Sequence, residues 1–299
     1  MAAYNDSFAN GDFSKKIEQI LQYEKKCILC PQECGVDRTQ DTGYCVTNID
    51  VPVAEFLVHM GEEQVISGSA GTGAIFLSNC NLSCVFCQNS EVSQCACGEL
   101  ANKNELAHIM LRLQDKGCHS IDWVSPSHCV NTLIQALYIA VQDGLQIPIV
   151  YNSGGYDNEL ALSFLDGLID IYMPDIKWSN NNVAKQYSDV SNYVEYNRSA
   201  LKIMHDQVGD LVVSGGVANR GLLLRYLVLP NQVNDTNEIA DWIKDNLGTN
   251  TYISILTEYF PFYNASEYPG INRHPNDEEI LEVIECFEGK GFTRLEYNI

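Results

Sequence analysis

Short β-rich runs alternate with amphipathic segments from residue 74 onward, and this alternation restricts the fold more than any other feature of the chain. The runs are AIFLS (74–78), SIDWV (120–124), IPIVYN (147–152), IDIYM (169–173), LLLRYLVL (222–229) and TYISIL (251–256). Between them, Leu106, Ile109, Met110 and Leu113 recur at helical spacing before Gly117, and Leu133, Leu137 and Ala140 or Val141 before Gly144. NEIADWIKDNLG is predicted to be a helix between an N-cap at Thr236 and a terminal Gly248. Strands that alternate with helices pair in parallel through right-handed crossovers. Several runs are apolar on both faces, as strands covered on both sides are. The expected architecture is α/β, a partial or full (β/α) barrel with ligands at the carboxyl ends of its strands. The interval 178–221 reads as an elaborated crossover with one helix over NRSALKIMHDQVG.

Directly after the first run stands CNLSCVFC, which places Cys80, Cys84 and Cys87 within eight residues. A structural zinc site takes four closed ligands, usually two separated pairs. A redox C-x2-C pair leaves Cys80 unexplained. Three thiolates can instead hold three irons of a [4Fe–4S] cube and leave the fourth open to another ligand. The start of the chain lacks a basic head and apolar stretch, and no apolar run approaches the roughly 20 residues that span a bilayer. A cytoplasmic, membrane-free protein is expected, and in that compartment the 12 cysteines point to metal rather than disulfides. With 18 basic against 39 acidic residues, a net charge of −21, the chain is ill suited to coating nucleic acid.

The spacing C-x3-C-x2-C with an aromatic before the last cysteine resembles the signature of the radical S-adenosylmethionine (SAM) enzymes. IPIVYNSGGY, IDIYMPDIKW and RYLVLP extend the likeness to pyruvate formate-lyase activating enzyme and its relatives that carry an extra N-terminal cysteine block. The resemblance implies a radical SAM barrel in which SAM occupies the open iron and an electron from the cluster cleaves it. The resulting 5′-deoxyadenosyl radical takes a hydrogen atom from a protein, peptide or small-molecule substrate. It further implies a flavodoxin- or ferredoxin-type electron donor.

By the same likeness, Phe86 places its backbone near adenine and Asn89 lies beside SAM. SPSH (125–128) stands where relatives carry a Gly-Gly-Glu turn for the SAM amino group, so Ser125 and Ser127 or backbone carbonyls are expected to take that role here, with His128 as a further SAM or substrate contact. Asp175 and Met173, with Asn152 and Ser153, match the ligands of a monovalent cation, although the family has Asp where this chain has Asn152. Lys177 would approach the SAM carboxylate, as a cation beside a bound carboxylate should. Arg225, charged within an apolar strand, requires an anionic partner: SAM, substrate, or an internal carboxylate. Glu258, Tyr259 and Tyr156 are expected to line a substrate pocket.

Upstream, Cys27, Cys30, Cys34 and Cys45 form C-x2-C-x3-C-x10-C, a complete tetrahedral set for zinc or for an auxiliary iron–sulfur cluster. Residues 1–70 are expected to be a small Cys-rich metal-binding extension, and 71–299 the barrel domain. HMGEEQVISGSAGTG (59–73) reads as a solvated turn, although His59, Glu62 and Glu63 could approach the site. It is not a phosphate-binding loop, because no Gly-Lys-Ser/Thr follows.

Overall fold

The computed structural model describes residues 2–95 and 97–298. Its strands are β1 (Val51–His59), β2 (Thr72–Leu77), β3 (Glu99–Ala101), β4 (Ile121–Val124), β5 (Ile149–Ser153), β6 (Ile171–Pro174), β7 (Val212–Ser214), β8 (Val217–Leu227), β9 (Tyr252–Leu256) and β10 (Leu295–Glu296). Its α-helices are α1 (Tyr4–Ala9), α2 (Asp12–Ile20), α3 (Gln64–Ser67), α4 (Ser90–Ser93), α5 (Lys103–Asp115), α6 (Val130–Gln142), α7 (Glu159–Leu165), α8 (Asn181–Ser188), α9 (Tyr193–Val208), α10 (Thr236–Asn246) and α11 (Asp277–Gly289).

The six β-rich runs correspond to β2, β4, β5, β6, β8 and β9, which pair in parallel in that order, with β10 added beside β9. β1 pairs antiparallel with β2, and β3 with β1. The sheet therefore ends at β10 and β3 among the described residues, and the barrel is partial rather than closed.

Alternation along each strand separates two environments. Ile75, Trp123, Tyr151, Tyr172 and Leu224 pack with the helices in the main core. Their neighbours Val150, Ile171, Met173 and Leu223 point into the barrel, where Ile66 of α3 is buried among them. Anchoring α3 there draws the preceding pair, Glu62 and Glu63, inside as well. Both carboxylates meet Arg225 of β8, so the expectation of a solvated turn over 59–73 is overturned.

The helix ends follow local chemistry. Asn102 and Glu105 form a reciprocal capping box on α5, and Gly117, at φ +86°, takes the left-handed position beyond it. For α10 the cap is Asp235, which accepts from the Glu238 N–H at 3.2 Å. Thr236 does not serve, because its hydroxyl is bonded to Tyr226 Oη at 2.7 Å. The 178–221 crossover contains α8 in addition to the expected helix, which begins earlier, at Tyr193.

Tyr4, Phe13 and Ile20 of the first two helices share the main core with the barrel helices. Asp170, at the foot of β6, accepts from the Ala3 and Ile149 N–H groups at 2.7 and 2.9 Å. No helix of the described residues is long and apolar enough to cross a membrane.

Candidate active site

The carboxyl ends of the parallel strands open into one cavity of about 690 Å³, within the range of small-molecule sites. Cys80, Cys84 and Cys87 line it, together with Phe86, Asn89, Ser125, Asn152, Ser153, Asp175, Lys177 and Arg225.

The three thiols lie within electrostatic reach of one another. The loop is shaped by Asn79, whose φ of +70° turns the chain immediately before Cys80, and by a turn that joins Cys87 N–H to Cys84 O at 3.2 Å. Each sulfur has a local polar neighbour: Leu82 N–H for Cys80 at 3.4 Å, Ser188 Oγ for Cys84 and Ser93 Oγ for Cys87, both at 3.1 Å. Among the described residues no three His, Cys, Asp or Glu side chains are closed into a metal geometry. The donor set nevertheless suits iron: soft sulfurs on one wall, a cation beside them, and open volume in front. Burial pushes the Cys80 thiol up to about 12, and the Cys84 thiol up to about 11 against the pull of Lys177. A metal ion held there would have to displace those protons, and its loading would be favoured by alkaline pH.

Lys177 pairs with Asp175. Burial opposes its charge, but Asp175 outweighs burial, and the ammonium is held charged well above its ordinary range. Tyr193 fixes this strand end, donating its hydroxyl to Gly154 O at 2.9 Å and accepting from Lys177 N–H at 3.1 Å.

Opposite stands a buried ion cluster. Arg225 donates to both oxygens of Glu63, from Nε at 2.7 Å and Nη2 at 2.6 Å, and also pairs with Glu62. Its Nη1 donates to Asn152 Oδ1 at 3.2 Å, and Asn152 Nδ2 donates to Asp122 Oδ2 at 3.3 Å. The anionic partner required by Arg225 is thus internal. Asp122 is fully buried, and its Oδ1 has no partner among the described residues. Burial first, and then the neighbouring Glu62, raise its pKa well above the carboxylate range.

That shift makes stability pH-dependent. Between the unfolded value near 3.9 and the raised folded value, the folded chain holds the extra proton, so stability falls as pH rises through the window. Asp122→Asn should remove up to about 1.4 kcal/mol per pH unit of this slope. Urea midpoints at pH 5 and pH 7 should therefore converge relative to wild type; an unchanged difference would refute the neutral carboxyl.

Other expected site residues are placed elsewhere. Ser127 and His128 lie behind the cavity wall and are buried. His128 Nε2 bonds Ser78 O at 2.9 Å, and burial, aided by Arg38, depresses the ring to about 4, so it is neutral. Tyr156 and Tyr259, expected to line a substrate pocket, are not among the residues that line this cavity. Their rings are buried, and their hydroxyls donate to Asn192 Oδ1 and Ile271 O, each at 2.6 Å. Glu258 does reach the cavity, as does His59, and they are joined by Ser254 and Glu296, which sequence patterning did not single out. Met173 is buried inside the barrel.

The architecture is a partial (β/α) barrel. SuiB of Streptococcus suis, in its structure bound to S-adenosylmethionine, superposes with a TM-score of 0.50 at 11% identity, over 74% of this chain and 48% of that one. Methylornithine synthase (PylB) gives 0.48 at 14% identity, over 71% of this chain and 60% of that one. The chain spans about half the length of SuiB. No family model matches the sequence. The uncharacterized protein MJ0674 of Methanocaldococcus jannaschii is 31% identical over 284 residues, covering 91% of this chain and 77% of that protein, and this chain belongs to the same family.

Proposed function

We propose that the chain is a radical SAM enzyme resembling the glycyl-radical activating enzymes, which takes a hydrogen atom from a protein or peptide substrate. The observation that carries this reading is the placement of three thiols and the Lys177–Asp175 pair around one cavity at the carboxyl ends of a parallel partial barrel. Cys80, Cys84 and Cys87 would hold a [4Fe–4S] cluster, which with bound SAM supplies reductive cleavage of a carbon–sulfur bond. SuiB, of the same fold, is described bound to S-adenosylmethionine.

The chain's own residues do the rest. Lys177 offers a fixed ammonium to a carboxylate, and Asp175 keeps it charged and aimed. Phe86 is wedged edge-on against Trp178 at 5.8 Å and Tyr259 at 6.2 Å, which makes the wall beside the cysteines rigid. A macromolecular substrate is supported by Phe260 and Phe262, whose rings lie 4.7 Å apart and remain exposed just beyond cavity-lining Glu258.

The test is anaerobic reconstitution with iron and sulfide, reduction with dithionite, and chromatography for 5′-deoxyadenosine and methionine after addition of SAM. Absence of both products from protein that demonstrably holds a cube refutes the reading. Lys177→Met should weaken SAM binding by about 10- to 100-fold, the worth of one charge-assisted hydrogen bond. Equilibrium dialysis on reconstituted protein measures this, and unchanged affinity would remove Lys177 from the site.

A further inference from the structure

A second group of thiols surrounds a buried cation. Arg38 is 6% exposed, and no carboxylate stands within ion-pair distance of it among the described residues. Its donors are met by carbonyls: Nε and Nη2 reach Thr47 O at 3.1 and 2.9 Å, and Nη1 reaches His128 O at 2.5 Å. Carbonyls satisfy hydrogen bonds but cannot neutralise a charge, and a buried charge without a counter-ion is costly. The remaining contact is Nη2 to Cys45 Sγ at 3.3 Å, and Cys27, the buried Cys129 and Cys30 also lie within electrostatic reach of the guanidinium.

The loop around Arg38 is built to gather sulfur. Cys27 and Cys30 accept from the backbone N–H groups two residues on, of Leu29 and Gln32. Gly35, at φ +67°, lets the chain reverse, and bonds from Cys27 N to Val36 O at 2.9 Å and Gly35 N to Cys27 O at 2.8 Å close the turn. Gly43 passes so near Cys34 that a Cβ there would stand 2.3 Å from its sulfur, so a larger residue would have to displace that thiol. Cys27 and Cys30 lie within electrostatic reach of each other, and each of them also reaches Cys34 and Cys45.

This loop is also bolted to the three-cysteine loop. Asn79 Nδ2 donates to Val46 O at 3.3 Å and Thr47 Oγ1 at 3.0 Å, Gln32 Nε2 donates to Asn81 O at 2.9 Å, and Tyr44 Oη bonds Ser83 Oγ at 2.7 Å. Asn79 is the residue in the left-handed region just before Cys80, a strained conformation that needs outside support.

We propose that Cys27, Cys30, Cys34 and Cys45 form a tetrathiolate metal centre, with Arg38 as its buried counter-charge, that holds the Cys80 loop in position. Four thiolates around zinc or around an iron–sulfur cluster are net anionic, and that is the charge Arg38 lacks. The inference does not depend on what Cys80, Cys84 and Cys87 bind, and its test removes them.

The full chain carrying Cys80→Ala, Cys84→Ala and Cys87→Ala is produced anaerobically and assayed for zinc, iron and sulfide. About one equivalent of zinc, or iron with matching sulfide, supports the centre and says which form it takes. If that variant does not fold, Cys30→Ser with Cys45→Ser in the otherwise native chain should lose the same metal by difference. Folded protein with neither metal overturns the proposal. Metal-stripped triple variant is then titrated with Co²⁺, whose thiolate charge-transfer bands report the sulfur ligands. Adding Arg38→Gln should weaken Co²⁺ binding by roughly 10- to 100-fold, as loss of an outer-sphere partner does. Unchanged affinity overturns the role given to Arg38.

Discussion

Replacing Cys84 with alanine is expected to abolish both the iron–sulfur absorption of the reconstituted chain and its production of 5′-deoxyadenosine. Cys84 is the middle thiol of three that share one wall of the cavity, and it is the one nearest in charge to Lys177. Two remaining sulfurs cannot hold a cube whose fourth corner is already reserved, so the effect should be all or none rather than graded. The substitution removes a single sulfur, and its hydrogen-bonding neighbour Ser188 keeps the Trp178 Nε1–H, at 2.9 Å. The fold should survive, and the urea midpoint should stay close to that of the parent. Retained SAM cleavage would refute the ligand assignment; joint loss of cleavage and of the folding transition would reassign Cys84 to stability.

The second large effect concerns Arg225. Its side chain is 15% exposed, against 9% for Glu62 and 4% for Glu63. Arg225→Met leaves two buried carboxylates beside Asp122 without their cation, and removing one partner of a buried pair costs about 3–5 kcal/mol. In the parent, burial raises the Glu63 carboxyl, but Arg225 outweighs burial and holds it below its ordinary range. Glu63 therefore contributes stability above its unfolded value near 4.3, and that contribution is lost as pH falls through the folded value. In the variant only burial remains and the sign reverses: the deficit should shrink as pH drops from 7 toward 5. Urea unfolding at the two pH values measures both parts. A deficit below about 1 kcal/mol would place the cluster among solvated pairs.

The parts of this site that were legible in the sequence share one property, short range. CNLSCVFC brings its sulfurs together within one loop, and MPDIK sets Asp175 and Lys177 two residues apart at a strand end. The six parallel strands were legible because burial on both faces leaves continuous apolar runs. β1 was not, because Pro52 and a register shift between Val53 and Glu55 interrupt its pattern. Glu63 meets Arg225 across 162 residues, and no local pattern marks such a pair. The GEEQ stretch looks like a polar turn until Ile66 is seen buried in the barrel. Tyr156 and Tyr259 misled for the converse reason: an aromatic at a strand end looks like a pocket wall until its hydroxyl is found bonded to Asn192 or Ile271.

The open side of the barrel has a mechanical consequence. Among the described residues no backbone ladder runs between the end of β1 and β10. That line is bridged by Gln64 N–H on Glu296 Oε1 at 2.8 Å and, deeper in, by the Arg225 cluster. Parting it sacrifices side-chain bonds and ion pairs while every strand pairing stays intact. The wall on that side is thus held by charge and by one side-chain bond to a backbone N–H, not by sheet pairing.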